Sequence, residues 1–177
     1  YERKEDGSPS ELPKPSIDTG MGLERILAVL QGKISNYDTD LFRPLIAVVE
    51  EKAGKSYGND EEFDVACRVL ADHARTGAFL VTDGVYPENE GRGYVLRRVL
   101  RRAIRFARTI GIEGPSISAV ADQVVELMGS AYPQLEENRS VIQRVLTLEE
   151  ERFGRTLTEG ERLLERTTKA MEKEGNT

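Results

Sequence analysis

Val95-Leu96-Arg97-Arg98-Val99-Leu100-Arg101-Arg102-Ala103-Ile104-Arg105-Phe106-Ala107-Arg108 is the stretch on which the fold turns. At roughly 100° per residue counted from Val95, its apolar side chains fall between about 0° and 180°, and its six arginines between about 200° and 340°. The two sets do not overlap, so the segment is an amphipathic helix with one face to bury and one lined with guanidinium groups. The helix is expected from about 92 to 110, halted by Gly111 and Gly114-Pro115.

Working outward, the same periodicity recurs. Ile117, Val120, Ala121, Val124 and Met128 mark a helix ending at Gly129, and a long charged helix follows from about 138 to 173. Its sparse apolar stripe is Ile142, Leu146, Phe153, Leu157, Leu164 and Met171, with Gly154 and Gly160 weakening it. Upstream, Phe63 to Val81 gives five turns of helical spacing stopped by Asp83-Gly84, and residues 54 to 60 read as loop. A helix marked by Leu41, Leu45, Val48 and Val49 must hold Pro44 in its first turn, where the missing N–H costs nothing. Leu23, Ile26, Leu27 and Leu30 form a shorter helix ending before Gly32. Ahead of it, residues 1–14 are polar and turn-rich, Pro13 and Pro15 hold Lys14 extended, and Ser16-Ile17-Asp18-Thr19 reads as the end of a strand. The expected fold class is mostly α, a helical bundle after a short strand remnant.

Composition narrows the function. The 177 residues carry 25 basic and 31 acidic side chains, a net charge of −6, and 38% are hydrophobic, enough for a core. No run approaches the ~18 apolar residues of a membrane span, and the lone Cys67 cannot make an internal disulfide. One cysteine and one histidine, His73, do not make a closed zinc site, so no metal site is expected. The chain opens on Tyr1 with no targeting pattern and reads as an excised piece of a larger cytoplasmic protein.

Against that acidic total, seven arginines lie between Arg92 and Arg108, with no acid from Gly91 to Ile112. Arginine without lysine suits bidentate contact with phosphate oxygens. Two other readings stand beside nucleic-acid binding: neutralisation from within by acids such as Glu149-Glu150-Glu151, and a membrane-surface helix, which lacks the tryptophans that role favours. Tyrosines and phenylalanines do not interleave with the arginines, which favours a double-helical polynucleotide over a single strand.

Asp18-Thr19-Gly20-Met21-Gly22-Leu23-Glu24-Arg25 sets two glycines and an arginine at the opening of a helix. Glycines allow close approach of a flat ligand or phosphate, and helix N-termini favour anions. Arg25 opposes the local dipole and so calls for a partner. The pattern is neither a dinucleotide fingerprint nor a P-loop; taken alone it also reads as a tight strand–helix turn. His73 beside Asp72 reads as a structural, hydrogen-bonded histidine, and Cys67 as a buried thiol.

Ile17 to Arg25 resembles motif 3 of the class II aminoacyl-tRNA synthetases. With Ser35-Asn36-Tyr37-Asp38-Thr39-Asp40-Leu41-Phe42, Val69-Leu70-Ala71-Asp72-His73-Ala74-Arg75 and Gly91-Arg92-Gly93-Tyr94-Val95-Leu96-Arg97-Arg98, the chain resembles their alanyl branch, in order from about Leu12 to Leu164. The resemblance implies an alanine-tRNA ligase, which uses ATP with Mg2+ to activate alanine and loads it on tRNA(Ala). It makes residues 1–32 the end of an antiparallel catalytic sheet and 33–177 a helical tRNA-recognition domain. Arg25 becomes the catalytic, ATP-contacting arginine, with Gly20 and Gly22 at the nucleotide and Asp18 and Glu24 in support. Asn36 matches the family's asparagine that reads a G·U pair in the acceptor stem. The family's acidic base-reading residue is matched by Gln134, a departure from the pattern. Arg97, Arg101 and Arg105 are the expected backbone contacts. The resemblance puts motifs 1 and 2 upstream and a zinc-bearing editing domain downstream, so the isolated piece is expected to be inactive. The alternative is a non-enzymatic helical RNA-binding module.

Overall fold

The computed structural model describes residues 2–11, 14 and 20–173. The strand expected over 16–19, Asp18 within it, and the prolines at 13 and 15 lie outside the described residues. Two compact units divide after Thr39, a few residues beyond the 32/33 boundary read from the sequence.

In the first unit, Tyr1–Thr39, the turn-rich opening holds a small antiparallel hairpin: β1 (Glu2–Arg3) pairs with β2 (Pro9–Ser10). Asp6 shapes its turn by accepting from the Ser8 backbone at 2.9 Å and the Ser8 hydroxyl at 2.6 Å. Helix α1 (Leu23–Leu30) starts and ends where the spacing predicts. Of its stripe only Ile26 and Leu27 are half-buried, while Leu23 and Leu30 are more than half exposed. The loop expected at 35–38 tightens into a 3-10 turn, Asn36–Asp38, because the Ser35 hydroxyl accepts from Tyr37 N–H.

The second unit, Asp40–Thr177, is the bundle. Helix α2 (Arg43–Ala53) has Pro44 in its first turn and stops at Gly54, whose φ of 63° is the left-handed C-cap that glycine adopts cheaply. Helix α3 (Glu61–Thr82) begins two residues before its first apolar position because Asp60 caps it, accepting from the amides of Glu62 and Phe63. Helices α4 (Gly91–Thr109) and α5 (Ile117–Met128) follow, then α6 (Pro133–Glu137), which is too short for periodicity to reveal, and α7 (Arg139–Lys173).

Helix α3 packs against α2, α4, α5 and α7, and supplies the buried Phe63, Leu70, Ala74 and Ala78. At Gly77 an added Cβ would sit 3.0 Å from Leu100 of α4 and 3.4 Å from Leu146 of α7, so the absent side chain lets three helices meet. Helix α7 buries Ile142 and Leu146 and half-buries Phe153 and Leu157; every residue from 161 to 171 is exposed, Leu164 and Met171 included. Among the described residues no helix is long and apolar enough to cross a membrane.

Candidate nucleotide and nucleic-acid interface

The opening of α1 needs no special backbone. Gly22 is the N-cap at φ −64°, ψ 119°, with no side chain to cap the first amides, and Gly20 is not in the left-handed region either. What the glycines provide is space. A Cβ on Gly20 would meet nothing within 4 Å, and one on Gly22 would meet the stem of Arg25 at 3.6 Å. Arg25 is exposed beside these uncapped amides, and among the described residues nothing bonds its guanidinium. Glu24 in the same turn offsets the charge that Arg25 adds against the dipole. A guanidinium in the first turn of a helix, beside the positive pole of its dipole, is a setting suited to phosphate oxygens.

Asn36 opens the 3-10 turn. Its backbone carbonyl accepts from the Thr39 hydroxyl at 2.6 Å and the Thr39 amide at 3.3 Å, so the main chain does the turn's work. The half-buried side-chain amide has no partner among the described residues and keeps both an acceptor and two donors.

On α4 the arginine face divides in two. Arg101 Nε donates to Glu149 Oε1 at 2.7 Å, and Arg97 Nε lies 3.7 Å from the same oxygen. Arg97 also donates to Pro87 O at 3.0 Å and to Asn89 Oδ1. Arg101 lies over the Phe153 ring at 4.9 Å. Arg108 donates to Gly154 O and Thr158 Oγ1, with Glu161 at 3.7 Å. Arg97, Arg101 and Arg108 therefore fasten α4, Arg101 and Arg108 by hydrogen bonds to α7 and Arg97 by hydrogen bonds to Pro87 and Asn89. Arg98, Arg102 and Arg105 are exposed. Internal neutralisation thus applies to three of the seven arginines of α4, and Glu149 supplies most of it.

Glu150 has another task. Its Oε1 accepts from Ser116 N, Ser116 Oγ and Ile117 N at 2.7–2.9 Å, and its Oε2 from Ser118 N at 3.2 Å and Ser118 Oγ at 2.9 Å. A carboxylate from α7 thereby caps the N-terminus of α5, a role that no spacing rule anticipates. It floors an open groove of about 890 Å³ between the end of α4, the 111–116 loop and α7, whose wall includes Arg108, Arg155 and Arg162.

Gln134 is exposed in the first turn of α6, and its carbonyl accepts from the backbone and side chain of Asn138. His73 Nδ1 lies 2.9 Å from Asp72 Oδ2, the hydrogen-bonded histidine expected from the sequence. That bond, against the opposing effect of burial and with help from Arg75 and Arg102, holds the Asp72 carboxyl below its usual range. Cys67 is fully buried, and desolvation beside Glu50 and Asp64 pushes its thiol up to about 12, so it is no nucleophile. Among the described residues no cluster of three or more His, Cys, Asp or Glu could hold a metal ion. Sequence reading also missed Arg139, which at the start of α7 reaches Asp122 and Glu126 of α5 at 2.8 and 2.6 Å.

The chain is 52% identical over 177 residues to a protein of Desulfosudis oleivorans named alanine–tRNA ligase. It is 56% identical over 165 residues to one of the same name from Anaeromyxobacter dehalogenans, and 56% over 166 residues to one from an Anaeromyxobacter species. These matches cover 93–100% of this chain and 18–20% of the relatives, so the chain spans about a fifth of their length. A family model described as "tRNA synthetases class II (A)" matches residues 1–177. That match runs the whole length of the chain, and the chain belongs to the class II tRNA synthetases of this family.

Proposed function

We propose that this chain is the motif 3 and tRNA-recognition part of a cytoplasmic alanine–tRNA ligase. The observation that carries this reading is identity above one half, over nearly the whole chain, to relatives that bear that name. In the intact protein the substrates are alanine, ATP with Mg2+, and tRNA(Ala); zinc belongs to an editing domain outside this chain.

Arg25 reaches the ATP phosphates from the first turn of α1, where its own guanidinium and the adjacent N–H groups favour anionic oxygen. Charge building on the departing pyrophosphate is stabilised by a cation already in position. Gly20 and Gly22 leave the space beside it open for the nucleotide.

Asn36 reads the acceptor stem. A wobble G·U pair turns the guanine amino group into the shallow minor groove of A-form RNA, and an amide carbonyl is its natural acceptor. Gln134 offers a second, neutral amide where the family uses an acid, a weaker acceptor for the same edge.

The test is Asn36→Ala in the intact protein, with aminoacylation measured on acceptor minihelices carrying G·U or G·C. The expected result is a loss of about tenfold to a hundredfold on G·U, the size of one good base contact, with G·C little changed. Equal losses on the two stems overturn the assignment. Arg25→Ala is expected to abolish ATP–pyrophosphate exchange while leaving minihelix binding intact.

A further inference from the structure

We infer that the edge of α4 formed by Arg98, Arg102 and Arg105 is where the backbone phosphates of a double-helical RNA bind, and that Arg97 and Arg101 are structural. The inference rests on the acceptor-stem reading above and deepens it by naming which guanidinium groups meet the RNA.

The six arginines from 97 to 108 separate by angle. Counted from Val95, Arg97, Arg101 and Arg108 lie at roughly 200–240°, and Arg98, Arg102 and Arg105 at roughly 280–340°. The first group spends its donors on Glu149, Pro87, Gly154 and Thr158. The second is exposed, and among the described residues no carboxylate lies within ion-pair distance of it. Its acidic neighbour is Asp72 on α3, which senses Arg102 at long range but is bonded to His73. Arg98 lies 5.9 Å from the Tyr94 ring and Arg102 5.8 Å from that of Phe106, contacts that leave the planar donor edges free.

Spacings of four and three residues put the three cations on one line, about 10 Å long at ~1.5 Å rise per residue. Like charges at those spacings repel by a few tenths of a kcal/mol per pair, a cost with no intramolecular return on this edge. The line is held in place because the opposite face buries Leu96, Leu100, Ala103 and Ala107. A row of bidentate donors along one helix edge fits the regularly spaced phosphates of a duplex. The chain's overall charge is −6, so the attraction is confined to this edge.

The experiment uses the intact protein titrated with an acceptor-stem minihelix from about 50 to 200 mM salt. Each phosphate contact contributes about 0.9 to the slope of log K against log salt, so Arg98→Gln/Arg102→Gln/Arg105→Gln lowers it by roughly two to three. Each single substitution lowers it by about one, which keeps the test alive if the triple variant unfolds. The triple lysine variant retains the slope, and so does Arg101→Gln, which lowers the melting temperature instead. An unchanged slope in the glutamine variants, or an equal fall in Arg101→Gln, overturns the assignment of this edge. Binding by wild type with Asn36-dependent discrimination and an unchanged slope in the glutamine variants sinks the edge alone. A wild-type protein that binds no minihelix sinks the acceptor-stem reading and the edge with it. Unaltered RNA binding with altered self-association or protein capture shows the edge to be a protein interface and also overturns it.

Discussion

Glu149 on α7 accepts a 2.7 Å hydrogen bond from Arg101 on α4, forty-eight residues earlier, and is itself only 3% exposed. A buried carboxylate that faces two guanidinium groups fixes both the spacing of the two helices and the side of α4 that turns toward α7.

Glu149→Ala should therefore destabilise the bundle. Losing one partner of a fully buried pair costs about 3–5 kcal/mol, but Arg101 is more than a third exposed and regains water. The expected loss is about 1–3 kcal/mol by urea unfolding. Combined with Arg101→Gln the losses should add to less than their sum, since both remove one contact.

Glu150→Ala should cost more than an ordinary lost cap, about 2–4 kcal/mol, because it strips acceptors from buried amides at residues 116 to 118. Glu150→Gln should lose less: one oxygen remains, and a serine hydroxyl can rotate to accept from the new amide. Thermal unfolding of the two variants side by side gives the ranking.

Two glycine-to-alanine changes should have opposite signs. A Cβ on Gly93 would overlap the Tyr86 carbonyl and lie 2.7 Å from Glu88 Cβ, so Gly93→Ala should destabilise by about 1–3 kcal/mol. Gly160 sits inside α7 with nothing within 4 Å, so Gly160→Ala should raise local helix stability by about 0.5–1 kcal/mol. Hydrogen exchange along α7 reads the second effect directly.

The Asp72–His73 bond should leave a pH signature. The folded Asp72 carboxyl titrates below its ordinary 3.8, so it stabilises the fold above that value. The contribution disappears as the pH falls through the lower folded value. Asp72→Asn should be less stable than wild type near neutrality and equal to it in strong acid, as followed by unfolding midpoints against pH. The carboxylate is partly exposed, which keeps the difference small.

Periodicity located α1, α2, α3, α4, α5 and α7 because each carries an apolar stripe at 3.6-residue spacing with glycine or proline at its margin. It missed α6, whose five residues hold less than two turns, and the hairpin at the start, whose two-residue strands are too short to alternate. Arg25 was legible as a cation set against the dipole of α1, whereas Asn36 was marked only by the resemblance to the family's asparagine, since its spacing alone reads as a turn. Glu150 was not, because its five acceptor contacts come from residues more than thirty positions away.

The sequence by itself determined that α4 has an apolar face and an arginine face, since angles around a helix follow from residue spacing alone. Only the tertiary structure decided which arginines are consumed and which remain. That choice depends on where α7 lies, and α7 is placed by long-range burial of Ile142 and Leu146 and by the acids it delivers at 149 and 150. Helical spacing fixes the direction of a charge, and packing fixes what stands opposite it.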